Sequence, residues 1–341
     1  MHSPSSQPLA FFSPFLPSPT EDLAIARAQA ETLSLPGLHG YDHPESFFHY
    51  DWVYFLPETY LSLMGLFLLM WAVWIATTQS YKYPALSGPY GLLGGFTLLL
   101  TATLYMNGVD GIDREIFNKG LCLDPLASYL SVLLLCATLA TILLAGSYHT
   151  HFLDRLPPYE VNALILYAGL SMILLVQAND FLMVYLCIEF QSMCLYVLAA
   201  SKRQSVLSVE AGLKYFVLGA LASAIFLFGA SLLYGLTGFT KLDDISLFLQ
   251  ASESTTLDTP LLMGLLCLGV GLMFKVGAAP FHIWVPDVYE GAPTPVTTFF
   301  AVGPKMALFS LILRILSLSP ASMYEAWGIL LGGCAGLSFL V

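Results

Sequence analysis

Charge is what this sequence has least of. Only 10% of its 341 residues are Asp, Glu, Lys or Arg, against 57% hydrophobic, and the mean hydropathy is +0.74. Soluble domains carry about 25% charged residues, so the composition excludes an ordinary soluble domain and implies an integral membrane protein. Basic residues are scarcer still. Twelve Lys and Arg against 23 Asp and Glu leave a net charge of −11, which excludes the basic footprint of a nucleic-acid binder. Paired cysteines are missing too. Cys122, Cys136, Cys187, Cys194, Cys267 and Cys334 form no C-x-x-C pair, and all but Cys122 sit well inside apolar runs. Iron–sulfur and zinc spacings are both absent, and these cysteines read as small buried hydrophobes. No redox ligands are expected of the chain itself. The first 50 residues also lack the arginines of a mitochondrial presequence, with Arg27 alone against Glu21, Asp22, Glu31, Asp42 and Glu45. Pro/Ser-rich at first and weakly helical over 22–32, they are expected to form an ordered non-membrane extension lying on a neighbour.

What the sequence has in abundance is long apolar runs. They fall near 55–77, 89–107, 121–147, 160–178, 180–200, 209–236, 260–284, 294–318 and 324–341, each near the ~20 residues a hydrocarbon core requires. Nine spans of an all-α polytopic protein are predicted. The short turn over 177–180 makes the fourth and fifth spans a tight helical hairpin. The longest polar loop, 237–260, carries Asp243, Asp244, Glu253 and Asp258. Loops after odd spans hold Lys82, Arg155, Lys202 and Arg203, and the remaining set holds Arg114, Lys119, Lys241 and Arg314. That balance sets no orientation under the positive-inside rule.

Within these runs a few ionisable residues stand out. Residues 261–274 carry no charge until Lys275. A lysine so placed costs roughly 2.5–3.5 kcal/mol on insertion scales and normally faces protein or water. Gly277 and Pro280 follow. Pro280 lacks an N–H and would clash with the carbonyl of Val276, so a break is predicted there. Backbone freed at membrane depth must be buried or line a cavity. His282 adds a group that exchanges protons near neutrality. A snorkelling lysine beside an ordinary proline bend is the plainer alternative, but charge, break and histidine in one segment point to a proton or ion path. Glu189 follows eight unbroken apolar residues, 181–188, and a desolvated carboxylate either binds a proton or finds a cation. For Lys214 two readings stay open: a local pair with Glu210 one turn earlier, or an approach to Glu189 on the preceding span. Lys305 is a single lysine deep in its span beside Pro304, whereas Arg314 is expected to snorkel to the interface. Water bridging Glu189, Lys214, Lys275 and Lys305 would carry protons parallel to the membrane plane.

Lys275, Pro280, His282, Trp284, Pro286, Asp287, Glu290, Gly291, Pro293 and Pro295 together resemble the subunit-2 family of the mitochondrial proton-pumping NADH–ubiquinone oxidoreductase, respiratory complex I. Glu189, Gln191, Lys202, Arg203, Glu210 and Lys214 extend the likeness, which is specific over about 180–315, looser back to Trp52, and does not cover 1–50. The resemblance implies a fold similar to sodium/proton antiporters, with fourteen helices built on two inverted five-helix repeats. It divides the chain into the extension 1–50, helices one to three over 51–159, a complete repeat of helices four to eight over 160–318, and the start of a second repeat over 319–341. It makes Glu189 the helix-five acid, Lys214 the helix-six lysine, Lys275 the lysine at the break of helix seven, and Lys305 the connecting lysine of helix eight. His282 is grouped with them.

The same resemblance implies an inner mitochondrial membrane location and a chain that binds no cofactor. NADH, FMN, iron–sulfur clusters and ubiquinone would reside in partner subunits, alongside structural lipids and other membrane-arm subunits. A plastid-type ferredoxin–plastoquinone oxidoreductase subunit, a sodium/proton antiporter subunit and a non-pumping structural spacer are the alternatives. The last span stops while still apolar, and Gly328, Gly332, Gly333 and Gly336 give it a small-residue face. A second polypeptide carrying the other repeat is therefore expected.

Overall fold

The computed structural model describes residues 51–77, 87–108, 114–152, 158–202, 204–251, 259–318 and 321–341. The expected extension over 1–50 lies outside them. Eight helices among the described residues are long and apolar enough to cross a membrane. They are α1 (Leu56–Thr77), α2 (Ser87–Gly108), α3 (Pro125–Phe152), α4 (Pro158–Gln177), α5 (Phe181–Ala199), α6 (Val206–Thr237), α8 (Thr259–Val276) and α10 (Thr294–Leu318). Between them lie two short helices, α7 (Leu242–Ala251) and α9 (Trp284–Gly291), and α11 (Ala321–Leu340) follows. The ninth predicted span is thus helical, but its apolar stretch, Trp327–Leu340, is shorter than the other eight.

The third span begins later than its apolar run suggests. Leu121–Leu123 is a strand, β2, paired antiparallel with β1 (Arg114–Ile116). Helix α3 starts only after Asp124, whose carboxylate accepts from the Ala127 N–H at 2.8 Å. Pro125 then fits the first helical position, where no N–H is needed. Partial burial pushes the Cys122 thiol on β2 up to about 11. Of the six cysteines expected to be buried, Cys187, Cys194 and Cys334 are, whereas Cys122 and Cys267 are half-buried and Cys136 on α3 is exposed.

Helix α4 runs through the middle of the bundle, packed against α1, α2, α3, α5 and α10. Ile165, Leu166, Ala168, Met172, Ile173 and Leu175 are almost fully buried along it, which explains an apolar surface on every side. The predicted α4–α5 hairpin is present, and its turn ties neighbouring loops together. The Asn179 amide donates to the Lys119 carbonyl at 3.3 Å and to the Asp243 carboxylate at 2.5 Å. Asp180 caps α5 through the Leu182 N–H at 2.8 Å and accepts from Thr240 at 2.9 Å. The long polar loop is therefore partly ordered, with α7 held on this turn.

Helices α6 and α8 approach closely through small residues. A Cβ on Gly229 would meet the Gly264 carbonyl and the Leu268 nitrogen at 2.7 Å, a close-packing device common between membrane helices. This contact fixes α8 in position beside α6 and sets the depth of Lys275.

Candidate functional site

The helix carrying Lys275 stops at Val276, and the way it stops corrects one expectation. Gly277 adopts φ +79°, its N–H bonds back to Phe274 and Met273 at 3.1 and 3.0 Å, and the Ala278 N–H bonds to Met273 at 3.0 Å. This is a Schellman cap, in which a left-handed glycine satisfies the last carbonyls of the helix. Pro280 lies beyond the cap in the connecting turn, so its ring never confronts a helical carbonyl at Val276. The break is made by Gly277. A Cβ there would also sit 2.6 Å from Val285 Cγ2.

The chain re-enters helix at Trp284. The indole N–H donates to the Phe274 carbonyl at 3.0 Å, and the Ala279 N–H donates to the Ser338 hydroxyl at 3.1 Å. Backbone groups released by the break are thus taken up by side chains, as a low-dielectric setting requires. His282 lies in the turn. Its Nδ1 is buried without a hydrogen-bond partner, and its carbonyl accepts from Val285 at 2.9 Å.

At this break the Lys275 ammonium faces Glu189 on α5. The Nζ–Oε1 distance is 4.0 Å, with side chains 9% and 22% exposed. Lys275 also donates to the Tyr196 hydroxyl at 3.3 Å and lies 5.8 Å from the centre of that ring. Tyr196 is seven residues after Glu189, two turns along the same face, a spacing from which sequence reasoning could have found it. The phenol is held edge-on by Tyr215 at 4.8 Å and Phe216 at 5.6 Å. Its hydroxyl fits only because residue 219 is glycine, since a Cβ there would lie 2.2 Å away. Tyr215 in turn stacks on Trp284 at 4.7 Å, which locks the far side of the break to α6.

Lys214 is placed elsewhere. It bonds to Glu210 at 2.8 Å, the local pair, and to Asp287 on α9 at 2.6 Å. The expected Glu189–Lys214 approach is therefore corrected: Glu189 pairs with Lys275, and Lys214 bridges α6 to α9. Lys305 lies 5.6 Å from the centre of the Tyr289 ring, also on α9. It borders an apolar cleft of about 410 Å³ lined by Leu130, Val302, Met306 and Phe309. Helix α9 thus touches two of the predicted lysines and is joined by the turn to the third. Asp287 and Tyr289, which make those contacts, were not anticipated as site residues.

Arg314 does not snorkel. Its guanidinium, 8% exposed, bonds to both Asp124 oxygens at 3.0 Å, tying α10 to the start of α3.

The fold is thus a polytopic bundle of candidate membrane-spanning helices, interrupted at a buried lysine that faces a carboxylate on α5. Residues 178–341 match the family described as NADH:quinone oxidoreductase/Mrp antiporter, TM. NADH-ubiquinone oxidoreductase chain 2 of Marchantia polymorpha is 38% identical over 271 residues, 79% of this chain and 55% of that protein. NADH-quinone oxidoreductase subunit N 1 of Rhizobium meliloti is 41% identical over 261 residues, covering 76% and 51%. Among solved structures, respiratory complex I from Thermus thermophilus with bound aureothin contains a chain matching at TM-score 0.63 and 30% identity, over 80% of this chain and 55% of that one. Over residues 178–341 the chain is similar to this family of antiporter-like membrane proteins. It spans about half the length of the curated relatives it matches.

Proposed function

We propose that this chain is a proton-translocating, antiporter-like membrane-arm subunit of NADH:ubiquinone oxidoreductase in the mitochondrial inner membrane. Quinone reduction elsewhere in the assembly is coupled to proton movement through Glu189, Lys275, Lys214, His282 and Lys305. The observation that carries the reading is the Glu189–Lys275 pair at 4.0 Å, set at a helix break inside the membrane-spanning bundle. At that separation each charge stabilises the other. A proton arriving on the Glu189 carboxylate removes the counter-charge. The Lys275 ammonium then passes a proton to water entering the break, and His282 and Lys305 are the next basic groups in sequence order. Return of a proton to Lys275 and loss of one from Glu189 restores the pair.

On this reading NADH, FMN, the iron–sulfur clusters and ubiquinone belong to partner subunits, and this chain supplies only the proton-handling side chains. The curated relatives are about one and a half times as long as this chain and extend beyond the stretch it matches. Affinity capture of the chain from mitochondrial membranes tests the assignment. Flavin- and iron–sulfur-bearing subunits of NADH oxidation should co-purify in stoichiometric amounts. Recovery with ferredoxin-oxidising partners, or with sodium-transport proteins and no redox subunit, would overturn it. Lys275→Met in the assembled particle should abolish most proton output per NADH while leaving assembly intact.

A further inference from the structure

A more deeply buried carboxylate than Glu189 lies outside residues 178–341. Glu58, in the first turn of α1, is 2% exposed. Two neutral side chains from other helices converge on it. The Tyr105 hydroxyl, near the end of α2, donates to Glu58 Oε1, and the Gln177 amide, at the end of α4, donates to the same oxygen at 2.6 Å. Gln177 also donates to the Tyr105 oxygen at 2.9 Å, which closes a three-membered cluster. Helix α1 packs against α2 and α4. From α2 the titratable group facing Glu58 is Tyr105. From α4 Gln177, which does not titrate, faces it, and Tyr167 lies further along beside Gly65. No Lys, Arg or His pairs with Glu58 among the described residues.

The donor and acceptor inventory of this cluster does not balance. Glu58 Oε2 and Gln177 Oε1 are both buried with no hydrogen-bond partner. Both are acceptors if the carboxyl is ionised, so neither can satisfy the other. A proton on Oε2 converts one orphan acceptor into a donor, for which the Gln177 carbonyl oxygen is an acceptor on an adjoining side chain. It also removes an unpaired buried charge, which is far more costly than a buried neutral acid.

We propose that Glu58, Tyr105 and Gln177 form a proton-binding site separate from the Glu189–Lys275 pair, with the proton carried on Glu58 Oε2. Binding forms one O–H bond on that oxygen, and release returns the proton to water. The β1–β2 hairpin lies at this end of the bundle, where Leu121 bridges to Ala178, the residue after Gln177. That places the site beneath an interfacial loop, near one end of the spans.

Infrared spectroscopy on the full chain, in its native particle or in lipid nanodiscs, tests this without reference to pumping. A carbonyl band of a protonated carboxyl should be present at neutral pH, shift in D2O, and disappear in Glu58→Gln. It should survive in Glu189→Gln, which separates the two acids. Tyr105→Phe, which keeps the carboxyl and the ring, should shift the band by removing one hydrogen bond. If Glu58→Gln fails to fold, the Tyr105→Phe spectrum decides the matter. A band absent from the wild type, unchanged in Glu58→Gln or unmoved in Tyr105→Phe would overturn the proposal. Each of these results leaves the Glu189–Lys275 reading untouched.

Discussion

Glu189 and Lys275 should behave as one unit, and a double-mutant cycle measures whether they do. Two unit charges 4.0 Å apart attract by about 4 kcal/mol at an effective dielectric of about 20, the value that best describes protein sites. That is an upper bound of roughly a thousandfold in a rate if the whole interaction is used in proton transfer. Substitution of Glu189 by Gln leaves Lys275, 9% exposed, with no other carboxylate at ion-pair distance among the described residues. Substitution of Lys275 by Met leaves the acid without its cation. If each change lowers proton flux about 30-fold, near 2 kcal/mol, independent action would make Glu189→Gln with Lys275→Met about a thousandfold slower. A coupled pair gives a double mutant no slower than either single, because residues acting as a unit are strongly non-additive. The assay is proton flux into sealed vesicles bearing the assembled particle, driven by NADH and normalised to particle content. Effects that multiply to within about 0.5 kcal/mol would mean that the two groups act separately, and the pair would lose its place in the mechanism.

Three further outcomes follow from the same geometry. Gly219→Ala places a Cβ 2.2 Å from the Tyr196 hydroxyl, so it should displace the phenol and reduce proton flux to the level of Tyr196→Phe; normal flux with Tyr196 visibly moved would make the tyrosine dispensable. Gly277→Ala meets both a left-handed backbone and Val285 at 2.6 Å, and should lower stability by about 2 kcal/mol or more, read as a lower thermal midpoint of the particle. Arg314→Met strands Asp124, which is 26% exposed, at a cost of about 2 kcal/mol; Asp124→Asn on the same background should recover part of that loss in a thermal-shift measurement, and no recovery would argue against the pair.

The apolar runs made eight of the nine predicted spans and the α4–α5 hairpin legible, because a hydrocarbon core fixes helix length. The ninth run forms a helix with a shorter apolar stretch. Legibility failed where the outcome depended on which helix faces which. Glu189 and Lys214 lie on consecutive spans, yet it is Lys275 on α8, packed closely on α6 through Gly229, that reaches the acid. The break is visible in the sequence, but proline is conspicuous there while a left-handed glycine is known only from its φ, and it is Gly277 that ends the helix. Arg314 looked like a snorkelling residue at a span end because Asp124 is 190 residues away. Tyr105 and Gln177 are unremarkable residues singly. Only the packing of α1 on α2 and α4 turns them, with Glu58, into a cluster.

On the proposed reading, helix α9 is what links the separate lysines. It carries Asp287 against Lys214 and Tyr289 beside Lys305, and begins with Trp284 bonded to the last turn before the break. It is linked to α8 by a seven-residue turn, 277–283, by that indole hydrogen bond and by the stacking of Phe274 on Trp284 at 6.3 Å. A change of charge on Lys275 alters the field at the capped end of α8, where the Phe274 carbonyl accepts from Trp284. Movement of α9 by even a fraction of a helical turn changes the Lys214–Asp287 and Lys305–Tyr289 contacts together, because both partners sit on one eight-residue rigid helix. Coupling of this kind requires an element with two arrangements rather than a continuous wire of side chains. On the proposed reading the broken helix would be that element, with a glycine-capped joint on one side and the Trp284, Asp287 and Tyr289 contacts on the other.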